Sequence, residues 1–543
     1  MAGTLEEKAR GAFFTPIQIA EYMARWAVRS ADDAVLEPSC GEAVFLRAAG
    51  GTLRCLNEDV PAFAGRLTGV ELHDASAVQA RALLALDGLS ADITVGDFFE
   101  FSPEHEFDVV LGNPPFVRYQ EFSGAARAKG MEAALAQGVR LSGLASSWAA
   151  FVVKAALHLK PEGRLALVLP AELLSVGYAA EVRRFLLSRF RSLRLVTFEE
   201  RVFPGVLEDV VLLLAEGCGG ANCFQLHQAR NSASLAAEAK DWTNFVPSEG
   251  GKWTPALMAQ RAFEEYDELA SEAFEPLSEW GGAYLGSVTG NNGYFTMTEE
   301  TASQWGIVSK ELLRISPPGS RHLRGLEFST KAWKAMCADG QRGYLFCPGT
   351  NPSDAAKCYI EAGEKRGVAN AYKCRVRKPW WQVPLVETPD LLLTYMNHDR
   401  PRLIANNAKA AIINSVYGVK LKDGRKDIGK LLLPLACLNS VTLLGAEVVG
   451  RAYGGGLLKM EPREADKLPV PSLKTVREKR ELLEAIKPQL GAALRNGRLE
   501  DACMLVDPIV LEGVTDATLE RLRQAREVLF NRRKVRAGNG QSR

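Results

Sequence analysis

Short apolar segments alternate with amphipathic ones through about the first 220 residues of this 543-residue chain. The apolar segments have the length of buried strands, and stretches such as Ala75–Leu86 and Trp148–Leu159 have the spacing of helices. The strand candidates are residues 34–36, 67–70, 93–95, 107–111 and 165–169. The alternation predicts a doubly wound α/β sheet, because helices that connect parallel strands cover both of its faces. Ligands bind at the carboxyl ends of such strands, so the polar residues there form the candidate site.

Residues suited to a nucleoside follow the first three of these strands. The first strand runs into Glu37 and Gly41, and the glycine permits a tight turn and a close approach of a ligand. The second strand ends at Glu71, whose carboxylate is placed to accept hydrogen bonds from a ribose diol. The third is followed by Asp97 and Phe98, a carboxylate for an adenine amino group and a ring to cover the base. Each acid alone could be a solvated loop residue, but their order along the chain predicts a nucleotide-type site.

The fourth strand is followed by the tetrapeptide Asn113-Pro114-Pro115-Phe116. The amino nitrogen of adenine is a poor nucleophile, because its lone pair is delocalised into the ring. An asparagine oxygen and a neighbouring backbone carbonyl can accept both of its N–H groups and direct the lone pair at an electrophilic methyl group. The double proline stiffens the turn and donates no N–H, and the phenylalanine can stack on a base. The tetrapeptide predicts methylation of a planar amino group; the alternative is a rigid strand-to-loop turn without chemistry.

Together with Phe13-Phe14-Thr15-Pro16 before the sheet, these motifs resemble those of the gamma-class DNA adenine methyltransferases of bacterial restriction–modification systems. The resemblance covers about residues 11–220. It implies a Rossmann-like class I methyltransferase fold with S-adenosylmethionine as the cofactor. One position departs from the family pattern, since Ala43 stands where many members have a second glycine. The alanine adds only a methyl group, so we expect cofactor binding to be retained.

The resemblance also implies a role for each motif residue. The residues that it assigns to the cofactor are Thr15, Pro16, Glu37, Gly41, Glu71, Asp97, Phe98 and Phe151. Asn113 and Pro114 would accept from the target amino group, and Pro115 completes the catalytic turn. The flipped adenine would lie between Phe116 and Phe203, the latter in a Val202-Phe203-Pro204 motif.

The charge of the chain changes sign between its halves. Residues 1–240 carry 23 basic and 29 acidic residues, whereas residues 241–543 carry 43 and 36. Residues 365–378 contain six basic residues and no acid, directly before two tryptophans, a composition suited to phosphates and bases. The DNA contacts that it predicts are Lys373, Arg375, Arg377, Lys378 and Trp380. The alternative is a solvated basic surface with tryptophans that anchor a core.

Polar and glycine-rich stretches mark the same half at 288–292, 406–407, 414–417 and 454–460. The first and last resemble parts of the target-recognition region of certain restriction–modification methyltransferases. Asparagine can read adenine edges, although it also favours turns. We expect a catalytic domain over 1–220, a linker over 221–255, a mixed α/β target-recognition domain over 256–470, and a helical region over 471–543 that packs on it.

The sequence therefore predicts site-specific methylation of the N6 amino group of a flipped adenine in double-stranded DNA. We expect a cytoplasmic monomer with a separately encoded restriction endonuclease as its partner. Ten scattered cysteines without a Cys-x-x-Cys pair indicate free thiols and no metal site, and no apolar run is long enough for a membrane span. RNA adenine and protein glutamine methylation remain alternatives. A modification subunit that needs a specificity protein is less consistent with the short stretch before Phe13. A fused enzyme that also cuts DNA is less consistent with the lack of a metal-carboxylate cluster.

Overall fold

The computed structural model describes residues 15–56, 65–203, 209–236, 241–453 and 455–535. The chain forms two compact units, Met1–Leu257 with Lys534–Arg543, and Met258–Arg533. Four residues of the predicted motifs lie outside the described ranges, namely Phe13, Phe14, Pro204 and Gly454.

The described part of the first unit contains a sheet of nine strands. They are β1 (Val35–Glu37), β2 (Leu67–Glu71), β3 (Asp92–Val95), β4 (Phe107–Gly112), β5 (Leu159–Pro170), β6 (Phe190–Phe198), β7 (Val210–Cys218), β8 (Phe224–Ala229) and β9 (Thr243–Phe245). Their order across the sheet is β3-β2-β1-β4-β5-β7-β6-β8-β9. Strands β1 to β5 are parallel, and β7 runs antiparallel to both of its neighbours. Strands β1, β2 and β4 are almost wholly buried, as expected for apolar strands that helices cover on both faces.

The helices of this unit follow the apolar periodicity of the sequence. They are α1 (Ile17–Ala27), α2 (Val44–Leu56), α3 (Asp74–Leu86), α4 (Gly124–Leu135), α5 (Ser147–Leu157), α6 (Glu172–Ser175) and α7 (Ala180–Arg189). In α1 the buried side chains recur every three to four residues, from Ile19 to Ala27, so one stripe packs inward. Helix α5 is apolar on all sides and buried along most of its length.

The strand order reverses between β1 and β4. The chain continues from β1 to β2 and β3 on one side, and to β4 and β5 on the other, so the connections after β1 and β4 diverge. Val35 pairs with Val109 and Leu36 with Val110, which brings the ends of both strands, Glu37 and Gly112, to the same edge. A crevice at such a switch point is the usual ligand site of an open α/β sheet. The predicted class of fold is confirmed.

Residues 221–255 differ from the predicted linker. They contain β8, which pairs with β6, and β9, which pairs with β8. The ring of Phe224 packs against those of Phe245 and Trp253, with centroids 5.4 and 4.6 Å away. The glycines and asparagines of this segment therefore mark turns between edge strands, and the aromatic residues between them carry the packing.

The described part of the second unit mixes helices with small sheets. Its strands are β10 (Phe274–Pro276), β11 (Gly281–Leu285), β12 (Thr296–Met297), β13 (Leu312–Arg314), β14 (Glu327–Phe328), β15 (Tyr344–Phe346), β16 (Leu391–Leu393), β17 (Met396–Asn397), β18 (Leu403–Asn406), β19 (Tyr417–Leu421), β20 (Arg451–Tyr453), β21 (Leu457–Lys459) and β22 (Pro469–Pro471). The largest sheet has the order β11-β19-β16-β18-β14, and smaller ones have the orders β12-β15-β13, β17-β21-β20 and β10-β22.

The described helices of the second unit lie both before and after β19, the last strand of its largest sheet in chain order. The helices are α8 (Gln260–Glu272), α9 (Leu277–Trp280), α10 (Asn292–Phe295), α11 (Glu299–Gln304), α12 (Thr330–Ala338), α13 (Asp354–Lys365), α14 (Tyr372–Arg375), α15 (Lys426–Ala436), α16 (Ser440–Val449), α17 (Pro462–Ala465), α18 (Leu473–Glu478), α19 (Arg480–Arg495), α20 (Leu499–Val510) and α21 (Asp516–Val535). One apolar core contains Tyr294, Phe346 and Tyr359, and a second contains Phe328, Trp333 and Leu392. No single helix in the described ranges has the length and apolar character to cross a membrane, although α15 and α16, bent by 90°, pass that test as a pair.

Candidate active site

Asn113 lies directly after β4, at the switch point of the sheet. Its side-chain amide nitrogen donates a hydrogen bond to Oγ1 of Thr15, 3.1 Å away. The two residues are 98 positions apart in the chain. The bond orients the amide so that its nitrogen faces Thr15 and the oxygen Oδ1 of Asn113 points away from Thr15. The structure thus brings together two predicted site residues, and it places Thr15 against the side chain of Asn113.

Ser147, the first residue of α5, holds the turn that follows Asn113. Its hydroxyl donates to the carbonyl of Pro115 and accepts from the amide of Val117 at 2.9 Å. The backbone amide of Ser147 also donates to the carbonyl of Val117 at 3.0 Å. Only 2% of Ser147 is exposed, so water competes little for these bonds. The turn is therefore fixed on both sides of Phe116.

The loops after β1 and β2 are joined by Glu71. One oxygen of its carboxylate accepts from the backbone amide of Gly41 at 2.9 Å, and the other accepts from that of His73 at 3.0 Å. Gly41 has a φ of +49°, and a Cβ built there would meet no other atom within 4 Å. The glycine is thus needed for the backbone conformation and leaves open space on the side where a Cβ would lie.

Glu37 stabilises the first turn from inside. It is 1% exposed, and one carboxylate oxygen accepts from the backbone amide of Leu46 at 3.1 Å. Burial raises the pKa of Glu37 well above its ordinary value, since the hydrogen bonds from Leu46 and Phe45 do not offset desolvation and Glu71 adds repulsion. Burial also raises the pKa of the Cys40 thiol, with the nearby carboxylates of Glu37 and Glu71 adding to the effect. Cys40 is therefore an unreactive thiol inside the turn.

Ala43, the position that departs from the family pattern, has a left-handed backbone. Its φ is +58°, and its side chain is completely buried. A left-handed conformation costs an ordinary residue roughly 1–2 kcal/mol, whereas a glycine adopts it freely. Ala43 therefore adopts a backbone conformation that a glycine at this position would adopt at lower free-energy cost.

Asp97 and Phe98 follow β3 as predicted. Oδ1 of Asp97 accepts from the backbone amide of Phe99 at 3.0 Å, and Oδ2 lies 3.6 Å from Nζ of Lys129. The ring of Phe98 stacks on that of Phe151, with centroids 5.3 Å apart and planes at 20°. Both rings are more than nine-tenths buried, so they form a fixed apolar wall.

His158 lies on the far side of the same aromatic cluster. Its ring is 5.6 Å from that of Phe98. Burial, with a smaller contribution from Lys154, lowers the pKa of His158 to about 4. The imidazole is therefore neutral at physiological pH.

The rings predicted to hold the target base are both buried. Phe116 is 7% exposed and Phe203 is 5% exposed. Pro114 is buried, and Pro16 is half-buried directly before α1. No group of three or more His, Cys, Asp or Glu side chains in the described parts of the chain is arranged to hold a metal ion.

The basic segment predicted to contact DNA divides into exposed and inward-facing residues. Lys373, Arg375 and Lys378 are exposed. Arg377, in contrast, donates to the backbone carbonyls of Thr289, at 2.7 Å, and Val288. Trp380 packs against an apolar core, and its indole N–H donates to Glu364 at 3.0 Å. The tryptophan thus has the core-anchoring position that the sequence left open as the alternative.

The sequence reasoning missed Ser147 and Lys129. Both act on motif residues about thirty positions away, Ser147 on Pro115 and Lys129 on Asp97. A serine at a helix start is ordinarily a capping residue. Its position at the start of the apolar helix α5, which contains Phe151, was the only available signal for Ser147.

Two models of protein families match the chain. The model described as N-6 DNA Methylase matches residues 2–216. The model described as the C-terminal domain of the Type II methyltransferase M.Eco57I matches residues 250–511. The two matches follow the division of the chain into its two compact units.

The relatives agree with both matches. The Type II methyltransferase M.AccI of Acinetobacter calcoaceticus is 24% identical, and M.XamI of Xanthomonas campestris pv. amaranthicola is 25% identical. Each match covers 86% of this chain and 86% of the relative. The solved structure of the Type IIL restriction-modification enzyme MmeI in complex with DNA shares the fold, with a TM-score of 0.57 and 14% identity, over 93% of this chain and 73% of that one. Over residues 2–216 the chain is similar to the N-6 DNA methylases, and over residues 250–511 to the C-terminal domain of M.Eco57I; these matches, with the Type II relatives, support an adenine N6 DNA methyltransferase of restriction–modification systems.

Proposed function

We propose that this chain transfers a methyl group from S-adenosylmethionine to the N6 amino group of an adenine flipped out of double-stranded DNA, at a specific sequence. The match of residues 2–216 to the N-6 DNA Methylase family model supports the reaction and the substrate. The observation that carries the mechanism is the hydrogen bond from Asn113 to Thr15, which orients the amide at the switch point of the sheet.

Asn113 acts as the acceptor for the target amino group. With its nitrogen directed at Thr15, the amide turns its oxygen towards the substrate side, where one N–H of adenine can donate. The carbonyl of Pro114 accepts the other N–H, and the carbonyl of Pro115 is already engaged by Ser147. Two acceptors hold the amino nitrogen so that its lone pair is no longer fully delocalised. The turn fixed by Ser147 keeps both acceptors in place without reorganisation during the reaction.

The side chains after β1, β2 and β3 fit the cofactor. Gly41 leaves open space beside the backbone, Glu71 and Asp97 supply acceptors for a ribose and an amino group, and Phe98 with Phe151 supplies an apolar wall. Thr15, Pro16 and the Glu37 turn complete the predicted set. When bound, S-adenosylmethionine supplies an electrophilic methyl group on a sulfonium. The residues of the chain orient the acceptor nitrogen and exclude water.

The target base is held by stacking. Phe116 and Phe203 take the two faces of the adenine, and opening these buried rings to the base accompanies its extrusion from the duplex. Unpairing and unstacking one base costs a few kcal/mol, which contacts elsewhere on the DNA must offset. The second unit supplies those contacts through the exposed Lys373, Arg375 and Lys378. Arg377 and Trp380, also predicted as contacts, instead bond backbone carbonyls and pack on a core.

The remaining expectations concern organisation and partners. We assign catalysis to residues 1–220 with the following edge strands, target recognition to 256–470, and support of that domain to the helices of 471–543. The chain acts as a monomer in the cytoplasm and protects DNA from a separately encoded restriction endonuclease. The similarity to M.AccI and M.XamI, named as Type II methyltransferases, supports the role in restriction–modification.

Transfer of radioactive methyl groups to defined substrates tests the proposal. The purified chain should label duplex DNA, with the label recovered as N6-methyladenine, and should leave RNA and protein unlabelled. The Asn113→Ala variant should bind the cofactor but lose transfer. Label recovered in RNA or in a glutamine side chain would replace DNA as the substrate. Near-normal transfer by Asn113→Ala would refute the mechanism.

A further inference from the structure

Three segments that are distant in the sequence meet in the second unit. Nδ2 of Asn292 donates to Oδ1 of Asn414 at 3.1 Å, across 122 positions of the chain. Arg377 donates to the carbonyls of Thr289 and Val288. We call the loop 288–292, Asn414 and residues 372–378 the recognition cluster. Its hydrogen bonds join the parts into one connected element.

The recognition cluster has little freedom to move. Gly290 has a φ of +87°, and a Cβ built on it would lie 3.0 Å from both Sγ of Cys374 and Cβ of Lys373. Thr289 is 1% exposed, and its hydroxyl donates to Oδ1 of Asn292 at 2.5 Å. The loop therefore rests directly on α14, and only glycine suits the point of contact.

Two asparagine side chains of the cluster present hydrogen-bond donors. Oδ1 of Asn291 accepts from the backbone amide of Tyr294 at 3.0 Å, and Oδ1 of Asn414 accepts from Asn292. The amide nitrogens of Asn291 and Asn414 donate to no residue in the described ranges, and neither side chain is fully buried. The oxygens are thus used to orient the amides, and their N–H groups remain for a partner. Such donors match the major-groove acceptors of DNA, N7 of purines, O6 of guanine and O4 of thymine.

The surroundings of the cluster are positive. Its members Lys373, Arg375 and Lys378 are exposed, and residues 365–378 contain no acid. Tyr372 and Val376 are 65% and 62% exposed, so apolar surface lies among the charges. A duplex offers the matching partner, since phosphates flank the edges of its bases.

We propose that the recognition cluster reads bases in the major groove of double-stranded DNA, with Asn291 and Asn414 as donors and Arg377 as the residue that positions them. The proposal rests on the proposed function and specifies where its sequence selectivity arises. It changes the role of Arg377, which the sequence predicted as a direct DNA contact. Lys373, Arg375 and Lys378 bind the flanking phosphates, whereas Arg377 holds the loop that carries the donors.

The Asn414→Asp variant tests the donor role. Aspartate can still accept from Asn292, but it replaces the free N–H donor with an acceptor. We expect methylation of the recognition sequence to fall about tenfold or more relative to sequences that differ by one base pair. Asn496→Asp, an exposed change of the same charge at the end of α19, is the matched control and should leave this ratio unchanged. An unchanged ratio for Asn414→Asp would overturn the donor role.

Arg377→Lys and Lys373→Met separate positioning from phosphate binding. Lysine keeps the charge but cannot bond two carbonyls with a planar fork, so Arg377→Lys should lower selectivity and leave the salt dependence of DNA binding unchanged. Lys373→Met should reduce the slope of log K against log [salt] by about one, with selectivity kept. If Arg377→Lys kept full selectivity, the positioning role of Arg377 would be wrong.

Two controls keep the outcomes distinct. Thermal unfolding and cofactor binding identify variants that do not fold. If Arg377→Lys does not fold, the selectivity of Asn414→Asp decides whether the recognition cluster reads bases. A wild-type chain that methylates no DNA would refute the proposed function. A wild-type chain with selective methylation, together with an Asn414→Asp variant of equal selectivity, would refute the recognition cluster alone.

Discussion

Replacing Thr15 with valine tests how the catalytic asparagine is oriented. Valine has nearly the shape of threonine but lacks the hydroxyl that accepts from Asn113 at 3.1 Å. The family resemblance assigns Thr15 to the cofactor, whereas the geometry assigns it to Asn113. The two roles predict different kinetic effects, so one substitution separates them.

The magnitude follows from the lost hydrogen bond. A neutral hydrogen bond contributes about 0.5–1.5 kcal/mol net, which corresponds to roughly a twofold to tenfold change in rate when the bond acts in the transition state. We expect Thr15→Val to lower kcat by about this factor, because the amide oxygen of Asn113 is no longer held towards the substrate. The Kd for S-adenosylmethionine should change less than about twofold.

Single-turnover methylation of a DNA duplex, combined with calorimetric binding of the cofactor, gives both quantities. Thr15→Ser is the matched control, since serine keeps the hydroxyl and should retain kcat. A full kcat for Thr15→Val would refute the orienting role. A large rise in the cofactor Kd with kcat unchanged would assign Thr15 to the cofactor instead.

Further predictions concern stability. The pKa of His158 is about 4 in the folded chain and near 6.5 in the unfolded chain, so the neutral imidazole contributes to the free energy of unfolding above pH 6.5, and this contribution is lost as the pH falls towards 4. The loss of stability between pH 7 and pH 5, measured by urea unfolding, should therefore be about 2 kcal/mol smaller in His158→Gln. Ala43→Gly should leave the unfolding midpoint unchanged or raise it, since the φ of +58° suits glycine, and a clear fall would contradict the strain. The side chains of Glu447 and Arg533 are each 3% exposed and form an ion pair at 2.9 Å. Glu447→Gln should therefore lower the free energy of unfolding by about 3–5 kcal/mol, and a double-mutant cycle with Arg533→Met should show strong coupling.

The sequence predicted those parts of the site that local pattern determines. Strand β4 and the position of Asn113 after it follow from a short apolar run ended by a glycine. Glu71 is likewise the polar residue at which the apolar run of β2 ends. Parallel strands bring such ends to one edge, so the relative placement of the motifs could also be predicted. The bond between Asn113 and Thr15 could not, because nothing local relates residues 98 positions apart.

Composition was a poorer guide where a side chain has two uses. The charge of Arg377 indicated a DNA contact, but its guanidinium bonds two carbonyls of a distant loop. Glycines and asparagines in 221–255 indicated a linker, but Phe224 and Phe245 pair across β8 and β9, the last two strands of the sheet. In both cases a tertiary contact decides, and the sequence around the residue contains no trace of it.

Methylation of adenine N6 in DNA through Asn113 is tested most directly in a host without DNA methylation of its own. The wild-type chain or Asn113→Ala is expressed there, and genomic DNA is sequenced by a method that detects modified bases. We expect N6-methyladenine at one recurrent sequence with the wild type and none with the variant. Folded, cofactor-binding wild-type protein that leaves adenine unmodified, or modification that persists in Asn113→Ala, would contradict this expectation.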